Sequence, residues 1–306
     1  KVDKKKLPKF EYQSIKTFKE AITKEEKAIK QVVEEVIGLN NVSINETILS
    51  LGGDSIKAIR ILSKLKSKGF NLKLADLMSD ITLENLGKKI TSIDNRNNNC
   101  NDIVVGEVRL TPIQREFYEF KLAKPNYFNF ATLLSSDNFN KELLNNAFEH
   151  IVEHHDMFRA SFDKGKQELG NLNERDYFKL IVCELFDMDK LKIEEKIIEE
   201  TRLIQENIDL EKGPLLNAIL FKTSSKDHLF ICVHHMIIDA ISWEILMEDF
   251  KGLYLKSVKG VEYKLPNKTT SFKEWSECLY RYSTSSKLLA EVAYWDKICK
   301  NRVGLI

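Results

Sequence analysis

The run Asp94-Asn95-Arg96-Asn97-Asn98-Asn99 contains no apolar side chain and lies between two stretches that can each bury one. A segment of that kind cannot join a hydrophobic core, so the chain must fold as separate units on either side of it. At 306 residues with 43% hydrophobic content there is enough material for two cores of ordinary size. The predicted fold class is multidomain, an all-α bundle of four helices over residues 21–92 and an α+β domain over 106–306. Residues 1–20 and 93–105 read as linkers, the first rich in lysine and the second in asparagine.

Charge removes several function classes. Lys+Arg at 47 against Asp+Glu at 46 gives a formal net charge of +1, so neither nucleic acid nor an anionic membrane is expected as a partner. Apolar runs such as Leu229–Val233 and Met236–Ile238 are too short to span a bilayer, and the sequence opens on charges, so a soluble cytoplasmic protein is expected. The five cysteines, Cys100, Cys183, Cys232, Cys278 and Cys299, are scattered without a CxxC pair and are expected to be reduced thiols.

Thr23, with Glu26 three residues on, predicts a capped helix running to Ile37 and stopped by Gly38, burying Ile29, Val32, Val33, Val36 and Ile37. A second helix is predicted from Asp54 or Ser55 to Lys68, burying Ile59, Leu62 and Leu65, with Gly69 after it. A short segment, Leu72–Met78, and a helix after Thr82 complete the bundle. Beyond Gly106, strands are predicted at Tyr127–Leu134, Leu215–Phe221 and His228–Val233, with helices over Lys141–Met157 and from Ser242.

Leu51-Gly52-Gly53-Asp54-Ser55-Ile56 places two glycines before a serine that opens a helix. Such a turn leaves the hydroxyl open to a modifying enzyme, and a phosphate on it would lie at the positive end of the helix. The four residues taken alone also fit a plain turn with an N-cap. In the second domain His234-His235 ends a buried strand, with Asp239 four residues beyond His235. A histidine there can exchange protons near neutral pH, while a structural pair or a metal site are the other readings. His150 and His154 share a helical face and read as ordinary helix residues; no metal site is expected.

The stretch from Ile22 to Ser92 resembles the peptidyl-carrier family, through the Leu-Gly-Gly-Asp-Ser-Ile turn and the closing Leu74-Ala75-Asp76-Leu77 and Ile81-Thr82-Leu83-Glu84-Asn85-Leu86. The resemblance implies 4′-phosphopantetheine covalently attached to Ser55, with Asp54 and Gly53 beside it, an aminoacyl or peptidyl thioester as cargo, and a phosphopantetheinyl transferase as partner. Lys1-Val2-Asp3-Lys4-Lys5-Lys6-Leu7-Pro8 resembles the last motif of an adenylation domain, which implies such a domain upstream and a nonribosomal peptide synthetase as the parent.

His234-His235-Met236-Ile237-Ile238-Asp239-Ala240 resembles the HHxxxDG motif of the condensation and epimerization superfamily, which has a chloramphenicol-acetyltransferase-like fold. Leu110–Gln114, His154–Arg159, Gly213–Leu216 and Thr269–Trp275 lie around it in family order. The resemblance makes His235, with His234 and Asp239, the catalytic candidates; His235 carries the chemistry, and Asp239 is mainly structural, with Arg159 as its expected partner. Ala240 replaces the usual glycine, for which a slightly altered loop is expected.

Ser242-Trp243, in that order, and the Gly-Gly-Asp-Ser form of the carrier turn resemble the epimerization branch. That implies L-to-D inversion at Cα, while peptide-bond formation or a silent docking domain remain the alternatives, and a downstream condensation domain or module is the expected neighbour. The resemblance ends near Trp295, so residues 106–306 are read as the N-terminal half of the domain, expected to be inactive alone. A second acid/base, a glutamate in the family, is expected from the other half.

Overall fold

A computed structural model describes residues 18–92, 102–163 and 165–300, apart from the side chain of Ser67. The Lys1–Pro8 motif, Cys100 and the Asn-rich run lie outside the described residues. The chain divides into two compact units, Lys1–Asn99 and Cys100–Ile306.

In the first unit α1 (Lys24–Ile37) begins at the capping box, with Glu26 N–H donating to Thr23 Oγ1 (3.1 Å) and Thr23 N–H donating to Glu26 Oε2 (3.1 Å). It ends at Gly38, which takes φ 79°, a left-handed conformation that glycine adopts without a Cβ clash. Ile29, Val32, Val33 and Val36 are buried as predicted, whereas Ile37 is only half-buried. α2 (Ser55–Ser67) buries Ala58, Ile61 and Leu65, so the face is turned from the one predicted, with Ile59 and Leu62 at its margin. β1 (Phe70–Asn71), α3 (Leu74–Leu77), α4 (Leu83–Lys89) and β2 (Thr91–Ser92) follow, β1 and β2 pairing antiparallel. The loop between α1 and α2 is part of the core through Ile44, Ile48 and Leu51, and Glu46 O and Ile44 O accept the Leu83 and Glu84 N–H groups at 2.8 and 2.9 Å.

The second unit opens with β3 (Gly106–Val108) and α5 (Pro112–Glu119). β4 (Asn129–Ser136), α6 (Lys141–His154), β5 (Ala160–Asp163), β6 (Lys166–Leu169), β7 (Phe178–Glu184), α7 (Lys190–Glu206), β8 (Leu216–Lys222), β9 (Asp227–His234) and α8 (Ala240–Val258) come next. α9 (Phe272–Ser283), α10 (Ser286–Leu289) and α11 (Val292–Lys300) close the described part. The larger sheet runs β4-β9-β8-β7; β7 and β8 are parallel and the other pairs antiparallel. Parallel neighbours need a crossover, which α7 supplies. A smaller sheet runs β3-β6-β5. α6 packs on α8, with Phe148 and Phe250 stacked at 5.0 Å between centroids.

Several predicted bounds move. The helix over Lys141–Met157 stops at His154, and Asp156–Arg159 forms a 3-10 turn. Tyr127 ends another 3-10 turn, Pro125–Tyr127, so its strand starts at Asn129. α8 starts at Ala240 because Asp239 Oδ1 accepts the Ser242 N–H at 2.7 Å. Among the described residues no helix is long and apolar enough to cross a membrane.

Candidate functional site

In the first unit the turn before α2 is held by backbone. Gly53 N–H donates to Ile48 O at 2.8 Å, and a Cβ on Gly53 would fall against the Ile48 side chain and 2.6 Å from its carbonyl oxygen. Gly52 takes φ 82° with open space around it. Asp54 Oδ1 caps the helix by accepting the Lys57 N–H at 2.8 Å. Ser55 is the first helical residue and exposed, and its hydroxyl has no hydrogen-bond partner among the described residues. The N–H groups of Ser55 and Ile56 stand at the positive end of α2 with no acceptor among those residues. An open hydroxyl beside unclaimed N–H donors fits a phosphodiester-linked group.

In the second unit the two adjacent histidines have opposite surroundings. His234 is fully buried. Its Nε2 donates to Pro125 O (3.0 Å) and its Nδ1 accepts the Met236 N–H (3.1 Å). Burial, above all, and secondarily the neighbouring His235, hold its pKa down to about 4 against a raising contribution from the Pro125 carbonyl, so the ring is neutral. Both nitrogens are used by the protein's own backbone.

His235 is half-buried, and neither of its ring nitrogens is hydrogen-bonded by a described residue. Its backbone N–H donates to Phe128 O at 2.8 Å. Its ring lies flat on Phe128, 4.7 Å between centroids and 9° between planes, with Phe130 at 4.5 Å. Gln114 ties the loop down from α5, its Nε2 donating to Met236 O at 3.1 Å. This accounts for the Leu110–Gln114 segment physically. A partly open imidazole with free nitrogens, on a loop braced from two sides, can take up and release a proton.

Asp239 is brought into the same loop but not onto either ring; it is exposed and serves α8. Its expected partner is corrected. Arg159 is fully buried, its Nη2 donates to Asp156 Oδ1 at 2.6 Å, and its remaining donors go to the carbonyls of Val104, Val152, Glu153 and Gly170. Ala240 is the exposed first residue of α8 and has no positive φ, so its methyl adds no backbone strain there.

His150 Nδ1 donates to Asn146 O at 2.7 Å within α6, and His154 is held down to about 4, first by burial and then by His155. No cluster of three or more metal-ligating side chains exists among the described residues. The cysteines among the described residues are free thiols, and burial pushes Cys232 up to about 12, so it is a core residue and a poor nucleophile. Phe128 and Phe130 were not singled out by sequence. The signal available was the β4 strand pattern, which places them beside β9 only once the Asn129 to His234 register is known.

Comparison with known proteins agrees with both halves. The family described as "Condensation domain" matches residues 104–305, and "Phosphopantetheine attachment site" matches residues 27–90. Tyrocidine synthase 2 of Brevibacillus parabrevis is 34% identical over 304 residues, 97% of this chain and 8% of that protein. Gramicidin S synthase 1 of Brevibacillus brevis is 35% identical over 302 residues, 97% of this chain and 27% of that protein. The chain thus spans less than a third of the length of these relatives. The crystal structure of the epimerization domain from the third module of tyrocidine synthetase B is 36% identical with a TM-score of 0.63, covering 67% of this chain and 48% of that one. The starter condensation domain of rhizomide synthetase shares the fold at 17% identity and a TM-score of 0.52, covering 65% of this chain and 51% of that one. The chain therefore belongs to the condensation-domain family of nonribosomal peptide synthetases, with a phosphopantetheine-bearing carrier domain preceding the condensation-type domain.

Proposed function

We propose that the chain carries an aminoacyl or peptidyl thioester on phosphopantetheine at Ser55 and presents it for L-to-D inversion at Cα, with His235 as one proton-handling group. When bound, the prosthetic group would supply a long arm ending in a thiol, and the thioester it forms with the cargo would make the Cα–H adjacent to the cargo's carbonyl removable. Ser55 Oγ provides the attachment atom, and the Ser55 and Ile56 N–H groups with the positive end of α2 favour the phosphate. Asp54 and Gly53 keep the hydroxyl outward by capping the helix and by closing the turn on Ile48.

His235, through a free ring nitrogen, accepts the Cα proton while the C–H pair forms a double bond from Cα to the carbonyl carbon and the carbonyl π pair moves onto the thioester oxygen. That oxygen needs donors, and inversion needs a proton returned from the opposite face, so a second acid/base group completes the reaction. His234 holds the strand end and the loop. Asp239 starts α8.

The observation that carries inversion over peptide-bond formation is the 36% identity to an epimerization domain against 17% to a starter condensation domain over similar shares of this chain. Serving partners are a phosphopantetheinyl transferase, an adenylation domain upstream and a condensation domain or module downstream. The test is to load the full protein with an L-aminoacyl phosphopantetheine, release the thioester and separate the enantiomers. The D-residue is expected with no second carrier present. A product that forms only when a second, carrier-bound amine is added would establish condensation instead.

A further inference from the structure

A histidine that moves protons is usually oriented by a carboxylate or carbonyl that takes one ring N–H, fixing the tautomer and aiming the other nitrogen. His235 has no such partner among the described residues, and the carboxylate nearest along the chain, Asp239, accepts the Ser242 N–H instead. Left to itself, the terminal torsion of an imidazole is broad. What limits it here is aromatic. Phe128 lies parallel to the ring at 4.7 Å and 9°, and Phe130 closes on it at 4.5 Å and 53°. Both walls are themselves backed, Phe128 by Phe117 at 5.4 Å and Phe130 by Trp243 at 5.8 Å. Phe128 also holds the His235 main chain, its carbonyl accepting the N–H at 2.8 Å. Yet Phe128 is 42% exposed, so it is not a core residue whose presence burial alone explains.

We propose that Phe128 is the positioning residue of His235. Its flat face sets the plane in which the imidazole presents its free nitrogens, replacing the hydrogen-bonded orienter, while its carbonyl fixes the backbone from which the ring hangs. The proposal rests on the reading of His235 as the proton-handling group, and it adds a residue to that site.

The test uses the full protein, loaded at its own Ser55 with an L-aminoacyl phosphopantetheine, and measures the first-order rate of Cα deuterium exchange on the bound residue. Phe128→Leu keeps the apolar bulk and the main-chain bond but loses the flat face. It is expected to lower the exchange rate by about 10- to 100-fold, the scale of a misplaced reacting group, with the extent of loading at Ser55 unchanged. Phe128→Tyr restores the flat face and is expected to exchange close to the native rate. Should Phe128→Leu fail to fold, Phe128→Met, which also lacks a ring, is read in the same way. A native exchange rate in the Leu or Met variant, or equal losses in Leu and Tyr, would overturn the proposal. His235→Ala, run in parallel, separates the two claims. Full exchange without His235 would remove the functional reading itself, and loss of exchange with an indifferent Phe128 would remove only the positioning role.

Discussion

Arg159 Nη2 donates to Asp156 Oδ1 at 2.6 Å, three residues back along the chain, and Lys268 Nζ shares the same oxygen at 3.0 Å. The guanidinium is fully buried and locks the 3-10 turn after α6 to the start of the domain through Val104 O. Arg159→Met orphans several buried acceptors and is expected to cost about 3–5 kcal/mol in urea unfolding. Asp239→Ala loses only a helix cap, about 0.5–2 kcal/mol. Because the two side chains serve different elements, a double-mutant cycle between them is expected to show coupling below about 0.5 kcal/mol.

His234 gives stability a pH dependence of known sign. Burial holds its folded pKa at about 4, whereas the exposed ring of the unfolded chain titrates near 6.5. Between those values the unfolded state binds the extra proton, so stability falls as pH drops from about 6.5 to 4 and is independent of this ring above that window. The slope from one such ring is about 1.4 kcal/mol per pH unit. In His234→Gln, urea unfolding as a function of pH is expected to lose one proton of dependence, leaving that of His154, which is shifted in the same direction.

The two glycines before Ser55 are expected to fail differently. Gly53→Ala drives a methyl into Ile48 and its carbonyl, an overpacking cost of about 1–3 kcal/mol that displaces the turn. Gly52→Ala meets nothing within 4 Å and suffers only the left-handed backbone, about 1–2 kcal/mol. Thermal midpoints fall in both. Loading of Ser55 by a phosphopantetheinyl transferase, followed as a mass increase, slows in Gly53→Ala and stays near native in Gly52→Ala.

α1 was legible because its signals are local; Thr23, Glu26 and Gly38 specify both ends, and its apolar stripe is narrow. α2 was legible as a helix but not as a face. Ile56, Ala58, Ile59, Ile61, Leu62 and Leu65 make a stripe so wide that only packing against α1 decides which part is buried. The strand β6 was missed because Lys166-Gln167-Glu168-Leu169 buries a glutamine with its leucine, a polar alternation that sequence does not mark as a strand. At the site, Ser55 and the histidine pair stood out by motif. The division of labour between His234 and His235 did not, since it depends on Pro125 O and Phe128, more than a hundred residues away and brought in by the β4–β9 register. Arg159 was misassigned because its carboxylate partner is the neighbouring Asp156 and its other acceptors are backbone carbonyls that no side-chain pattern reveals.

The central claim is that His235 moves the Cα proton of a residue tethered at Ser55. It is tested most directly by loading the full protein with an L-aminoacyl phosphopantetheine in D₂O and following deuterium at Cα by mass spectrometry, beside Ser55→Ala and His235→Ala. The account predicts exchange in the native protein, none in Ser55→Ala, which cannot be loaded, and a loss of about 100-fold or more in the fully loaded His235→Ala. Native exchange in a loaded His235→Ala protein would contradict it.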